Sequence, residues 1–324
     1  MTHLNKKLNV GTVSVAPASG MRGTISVPGD KSISHRAVIL GSISRGVTTV
    51  EGFLEGSDNI STVNAFKAMG VMIERKAPCA LKITGAGIDG LKEPEDVINA
   101  GNSGTTARIL TGLFSAQPFF SAITGDGSLR RRPMRRVGEP LRLMGADIRG
   151  RRGATLLPLA ISGGALKGIT YKTPQASAQV KSSILLAGIY AQGSTTVIEP
   201  EKTRDHTERM LKLFGADIEV DGTAVAVKNS GSLKGRDVFV PGDISSAAFF
   251  IVGAMITPES ELKILNVGVN PTRTGIINIL KKMGGDISII NQREVSGEPV
   301  ADIVVKSSQL RGVDISGVEL LPAI

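Results

Sequence analysis

Four segments of the chain share one pattern of apolar and polar positions. Each is a short helical run that ends in glycine and passes into a strand-like stretch. They are Ala65-Phe66-Lys67-Ala68-Met69-Gly70-Val71, Leu141-Arg142-Leu143-Met144-Gly145-Ala146-Asp147-Ile148, Leu211-Lys212-Leu213-Phe214-Gly215-Ala216-Asp217-Ile218 and Leu280-Lys281-Lys282-Met283-Gly284-Gly285-Asp286-Ile287. The glycines are spaced by 75, 70 and 69 residues. Glycine just past a helix takes the left-handed conformation that closes the last turn. Before each helix comes a Thr- or Val-rich strand, as at Thr48-Thr49-Val50 and Thr195-Thr196-Val197-Ile198. The repeat predicts successive α/β units, each of strands plus two helices. Stretches 105–114 and 180–191 are apolar almost all round, which predicts helices buried inside a domain.

The other organising stretch is Pro28-Gly29-Asp30-Lys31-Ser32-Ile33-Ser34-His35-Arg36-Ala37, between the apolar runs Thr24–Val27 and Val38–Leu40. It reads as strand, Pro-Gly turn and helix start. Free N–H groups at a helix start favour an anion. Lys31 adds a point charge, Ser32 a hydroxyl, and Arg36, one turn on, a planar fork of donors. The plain alternative is a capped helix with a solvated first turn, although the helix dipole disfavours basic residues there.

Composition narrows the function classes. The 324 residues suffice for two domains, and 41% hydrophobic with 21% charged residues suit a globular chain. No apolar run is long enough to span a membrane, and Met1–Lys7 lacks an apolar signal core, so a cytoplasmic location is expected. One cysteine, Cys79, and three scattered histidines argue against an internal disulfide or a cysteine- or histidine-built metal site. Cys79, beside Pro78, reads as a small core residue. The net charge of +9 raises nucleic acid as a partner. Aromatics are only 3% and Trp is absent, however, so stacking platforms for bases are poorly supplied. The arginines cluster locally, at 130–132 and 135–136, which a small polyanionic substrate explains as well.

Four further loops open helices. Asn99–Arg108 is rich in small residues; Gly101 and Gly104 let N–H groups converge on an anion, while Ser103, Thr105 and Thr106 could serve as caps. Thr124–Pro133 ends in arginines, and Arg132, before Pro133, is held extended. Thr173–Ser183 offers Ser177 and Gln179, as neutral ligands or, for Ser177, as a helix cap. Thr203–Met210 carries His206, either a base or a surface or capping histidine. A fifth helix start follows Asn270-Pro271-Thr272-Arg273. So many polar helix starts in one repeated framework suggest a cleft where they converge on a substrate with several negative charges.

GDKS at 29–32, SAQVK at 177–181, RDHTE at 204–208 and NPTR at 270–273 together resemble the 5-enolpyruvylshikimate-3-phosphate synthase family, class II bacterial branch. The resemblance implies an α/β fold of two domains, each of three similar units in an inverse αβ barrel or prism, closing on the substrates. It implies transfer of the enolpyruvyl group of phosphoenolpyruvate to the 5-hydroxyl of shikimate 3-phosphate, with no metal or organic cofactor and a monomeric enzyme. By the motif match Lys31 touches both substrates and is the catalytic candidate. Ser32 and Arg36 hold shikimate 3-phosphate, and Gly104 and Arg132 bind phosphoenolpyruvate. Ser177 and Gln179 line the shikimate phosphate site, Gln179 also near phosphoenolpyruvate, and Arg204 is a further phosphate ligand. Residues 22–242 are expected to form one domain, and 1–21 plus 243–324 the other, incomplete at its C-terminal end, with crossings near Ser19-Gly20-Met21 and Pro241-Gly242-Asp243. In the family an Asp lies just past the position matching Ile324, with further acid–base and basic groups later. That match, with the uncapped apolar run Val318–Ile324, suggests a truncated chain that binds ligand but is inactive alone. The sister transferase acting on a UDP-amino sugar is the nearest alternative, but it uses a loop cysteine where this chain has arginines, around 115–135. An RNA-binding or scaffolding role for the basic surface is a remoter one.

Overall fold

The computed structural model describes residues 19–323; most of the expected segment 1–21 and the last residue, Ile324, lie outside them. The described residues open with β1 (Arg22–Ser26) and then run through three units of one design. The first has α1 (Lys31–Ile43), β2 (Ser44–Glu51), α2 (Ser57–Ala68), β3 (Met72–Ala77) and β4 (Ala80–Ala86). The second has β5 (Ile98–Asn99), α3 (Gly104–Ser115), β6 (Phe120–Thr124), α4 (Arg135–Leu143), β7 (Asp147–Gly150), the short turn α5 (Arg151–Ala154) and β8 (Leu156–Ser162). The third has β9 (Thr170–Lys172), α6 (Ala178–Gly188), β10 (Ser194–Ile198), α7 (His206–Leu213), β11 (Ile218–Asp221) and β12 (Ala224–Lys228). Strands β13 (Leu233–Lys234) and β14 (Asp237–Phe239) lead to a fourth unit of α8 (Ile244–Ile256), β15 (Glu261–Gly268), α9 (Gly275–Lys282), β16 (Asp286–Val295) and β17 (Glu298–Lys306), followed by α10 (Gly317–Leu320).

Each unit is one sheet with a single pattern: a parallel edge strand, then an antiparallel ladder closed by a hairpin. The orders are β13-β2-β4-β3, β5-β6-β8-β7, β9-β10-β12-β11 and β1-β15-β17-β16. The repeat read from the sequence is therefore a repeat of topology. Its four glycines, Gly70, Gly145, Gly215 and Gly284, have φ of +83°, +104°, +89° and +95°, the left-handed caps that a Cβ would strain.

Two hydrophobic clusters result. The larger runs from Ile33 to Val240, and the smaller from Ile244 to Val305 with Met21, Ile25 and Val27 packed on it. In the larger, helices α1, α3 and α6 are buried at the centre: α1 buries Ser34, His35 and Arg36 along with its apolar residues, and α3 and α6 are buried as their all-round apolar sequences require. Helix α8 is as apolar, yet Phe249 is 81% exposed and Ile256 64%. Phe249 lines an apolar groove of about 450 Å³ with Ile244, Val252, Ile276 and Pro322.

The passage between the clusters differs from the expectation. Strand β1 pairs with β15, in the sheet of the smaller cluster, so the first crossing falls at Pro28-Gly29-Asp30, not near residues 19–21. Strand β14 pairs with β2 in the larger cluster and feeds α8 through Pro241-Gly242-Asp243. Each edge strand thus leads into the inner helix of the opposite cluster. The two Pro-Gly-Asp turns meet back to back: Asp30 N–H donates to the Pro241 carbonyl at 2.8 Å, and Asp243 N–H to the Pro28 carbonyl at 2.9 Å. A Cβ on Gly29 would lie 1.8 Å from the Gly52 carbonyl oxygen, so this crossing admits no side chain.

Cys79 also departs from the sequence reading. It is exposed, at φ +57°, in the turn between β3 and β4, where its N–H donates to Glu55. Its small size suits that tight turn, and it packs in no core.

Candidate active site

The first turns of α1, α3 and α6 lie in one region, beside the start of α8. Asp58, in the first turn of α2, pairs with the Lys31 ammonium, and its carbonyl accepts from Thr106 Oγ1 on α3 at 3.3 Å. Gln179, in the first turn of α6, donates to Thr105 Oγ1 at 3.1 Å and accepts from Arg108 Nη1 at 2.5 Å. Arg36 on α1 donates to Ser182 Oγ on α6 at 2.8 Å and to Thr207 Oγ1 on α7 at 2.6 Å. Asp243, which caps α8, accepts the Lys31 N–H at 3.2 Å.

That last contact revises the reading of α1. Its leading N–H groups are not free for an anion: Asp30 Oδ1 accepts from Ile33 N–H at 2.9 Å, and Asp243 takes Lys31 N–H. Two carboxylates already occupy the positive end of the helix, as the dipole favours. An anion here must meet side chains instead. Lys31 is exposed and Ser32 half-buried, whereas Arg36 is buried, with three of its five N–H donors on Thr207, Ser182 and the Ser32 carbonyl. Arg204 sits beside them. Burial, then Arg273 and Arg36, drive its pKa down to about 10, against the opposing pull of Asp30 and Asp243. A cation destabilised by its neighbours in this way is a ready counter-charge for an anion.

The second basic group surrounds Gly104. A Cβ there would stand 3.0 Å from Arg108 Nη1 and 3.4 Å from Arg132 Nη1, so the bare glycine leaves both guanidinium groups over the start of α3. Asn102 holds Arg132 through a 2.7 Å bond from Nη2 and itself donates to Asp126 at 2.7 Å. Arg132 is extended at φ −77°, ψ 138°, as its place before Pro133 requires. Burial and the nearby charges of Arg132 and Arg136 lower the pKa of Arg108. Ser103 caps α3 and Ser177 caps α6, accepting from Thr106 and Val180 N–H. For Ser177 the capping alternative is met, and its hydroxyl still stands at the mouth of the site, half-buried.

The family model for EPSP synthase (3-phosphoshikimate 1-carboxyvinyltransferase) matches residues 15–323. The chain belongs to the EPSP synthase family. It is 60% identical over 309 residues to the 3-phosphoshikimate 1-carboxyvinyltransferase of Geobacter metallireducens, covering 95% of this chain and 72% of that protein. To the protein of the same name from Geotalea daltonii it is 60% identical over 306 residues, covering 94% and 71%. Among solved structures, EPSP synthase from Acinetobacter baumannii superposes with a TM-score of 0.88 at 50% identity, over 94% of this chain and 69% of that one. The α/β fold expected from the EPSP synthase resemblance is the fold observed.

Of the eight residues named from the motifs, Lys31, Ser32, Gly104, Ser177 and Gln179 stand at the starts or caps of α1, α3 and α6, Arg36 lies one turn into α1, and Arg132 and Arg204 lie in the loops before α4 and α7. Three others were given no role in the sequence reading. Arg108 follows Gly104 by one helical turn and so faces the same side, a signal present in the sequence. Asp243 repeats the Pro-Gly-Asp of Asp30, a second legible signal. Arg273 ends the NPTR motif, but nothing local gave it a task, since its partners Asp30 and Asp243 with Ser245 come from two distant segments. His206 is neither a surface residue nor a cap: it is 2% exposed, with Nδ1 2.7 Å from Glu298 Oε1 across the two clusters.

Proposed function

We propose that the region between the two clusters binds phosphoenolpyruvate and shikimate 3-phosphate and serves transfer of the enolpyruvyl group to the 5-hydroxyl. The observation that carries this reading is the pairing of two cationic groups on adjoining inner-helix starts, Lys31, Arg36 and Arg204 on one side and Arg108 and Arg132 on the other. Gln179 stands between them. Two small polyanions need two such groups, and a site that excludes water strengthens each contact.

In this reading Arg204, Arg36, Ser32 and Ser177 hold the shikimate 3-phosphate, and Arg132 with the open face at Gly104 holds phosphoenolpyruvate. Lys31, exposed at the head of α1, reaches both. The hydroxyl gives its proton to a base as its oxygen bonds to C2 and C3 gains a proton; loss of a proton from C3 with departure of phosphate from C2 then restores the double bond. Lys31 is placed to neutralise the leaving phosphate and to take part in the proton transfers. The larger cluster and the smaller one, with β1 in its sheet, act as two domains about the paired Pro-Gly-Asp turns, in a monomeric cytoplasmic enzyme.

The test is thermal unfolding with shikimate 3-phosphate, with a UDP-amino sugar as control, followed by phosphate release in the presence of phosphoenolpyruvate. A ligand bound only by the folded state raises the midpoint. A rise with shikimate 3-phosphate alone supports the reading. A rise with the UDP-amino sugar, or with neither, refutes it.

A further inference from the structure

Arg273 belongs to a motif that the substrate assignment leaves unused. It is 6% exposed, and its Nη2 lies 2.9 Å from Asp243 Oδ1, 2.7 Å from Ser245 Oγ and 3.9 Å from Asp30 Oδ2. It therefore touches both carboxylates of the back-to-back Pro-Gly-Asp turns. Asp243, in turn, uses its other oxygen, Oδ2, to accept the Lys31 N–H. The path from the smaller cluster to the head of α1 is one guanidinium, one carboxylate and one amide.

We infer that Arg273 is a positioning residue for the phosphate site: by holding Asp243 it makes the smaller cluster complete the cap of α1, and so sets where Lys31 and Ser32 stand. Asp243 Oδ1 accepts from Arg273 and also from the Ser245 N–H at 2.9 Å, so the carboxylate is held on two sides against rotation about χ2 and presents Oδ2 in a single direction. Arginine suits the task because one planar fork can address two acceptors at once. The nearby Asp30 gains as well. Burial opposes its ionisation, but His206, Arg273 and the N–H groups of Ile33 and Ser32 outweigh that and hold its pKa below the usual carboxylate value. The Asp30 cap of the crossing thus stays charged. The inference rests on reading the head of α1 as a phosphate site.

Two measurements separate the parts. Amide exchange at Lys31 and Ile33 is followed by NMR in the wild type, Arg273→Met, Arg273→Lys and Asp243→Asn, with no ligand present. Loss of the clamp makes the Lys31 amide exchange about tenfold faster or more, while Ile33, capped by Asp30 of its own helix, keeps its protection. Arg273→Lys retains part of the Lys31 protection, and Asp243→Asn, which leaves the packing of Arg273 in place, loses it. Shikimate 3-phosphate affinity is then compared across Arg273→Met, Lys31→Met and the double variant. Coupling through the head of α1 makes the two losses less than additive, whereas a merely structural role makes them add. Unchanged Lys31 exchange in the variants, or additive losses, overturns the inference. Altered exchange in a protein that binds no shikimate 3-phosphate refutes the phosphate reading and leaves the clamp standing.

Discussion

Acidification is expected to destabilise the fold through His35 before it touches most carboxylates. His35 lies on the buried face of α1, fully enclosed, with Nδ1 2.8 Å from Thr62 Oγ1 and no partner for Nε2. A proton on this ring would be buried with one N–H unmatched. Burial, with Arg36 and Lys31 nearby and only Asp30 opposing, therefore brings its pKa down from 6.5 to about 3. The unfolded chain takes up a proton below 6.5 while the folded one does not, so stability falls as pH drops from that value toward 3. Between about pH 7 and about pH 5 the loss from this one group is about 2 kcal/mol. Glu208, whose pKa is raised chiefly by burial, works in the opposite sense, so the comparison must isolate His35. The assay is urea unfolding of the wild type and of His35→Asn at both pH values, in buffer without phosphate. Asn can keep the bond to Thr62 but does not titrate. The wild type should lose about 2 kcal/mol more than the variant on acidification. Equal losses in the two proteins would refute the reasoning, whatever the absolute stability of the variant.

Three other outcomes follow from the same geometry. Lys181 is 1% exposed between Glu199 and Glu208, each at 2.6 Å, so Lys181→Met leaves two buried carboxylates unpaired and should cost about 3–5 kcal/mol by denaturant unfolding; adding Glu208→Gln should recover part of it. At Gly112 a Cβ would lie 2.1 Å from the Ser183 carbonyl oxygen, so Gly112→Ala should force α3 and α6 apart and lower stability by about 1–3 kcal/mol, read from the shift in urea midpoint at unchanged slope. Arg132→Ala, on a half-buried loop side chain bonded to Asn102, should leave the unfolding midpoint within about 0.5 kcal/mol of wild type yet reduce stabilisation by phosphoenolpyruvate in thermal unfolding; an unchanged ligand effect would remove Arg132 from the site.

Much of the architecture was legible because it repeats. A glycine after each outer helix, apolar inner helices and a Pro-Gly-Asp turn at each crossing are local devices, written in contiguous residues and dictated by backbone sterics and burial. The motif residues were legible for a related reason: Lys31, Gly104, Ser177 and Gln179 stand in the first turn of a helix or at its cap, where sequence position alone says which way a group faces. The all-round apolar character of α3 and α6 likewise specified their burial without any knowledge of partners.

What the chain could not say locally was settled by long-range pairing. Strand β1 looked like the start of the first domain and belongs to the sheet of the other, because parallel edge pairing joins residues far apart in sequence and leaves no local signature. The head of α1 looked like a set of free donors until Asp243, from beyond the third unit, filled one of them. Arg36 looked like an open fork until Ser182 and Thr207 took part of it, and His206 became a buried partner of Glu298 only when the two clusters met. Charge and hydrogen bonding are satisfied by whatever the fold brings within about 3 Å, so the commitments of these side chains belong to the tertiary structure, while the helices and turns that carry them belong to the sequence.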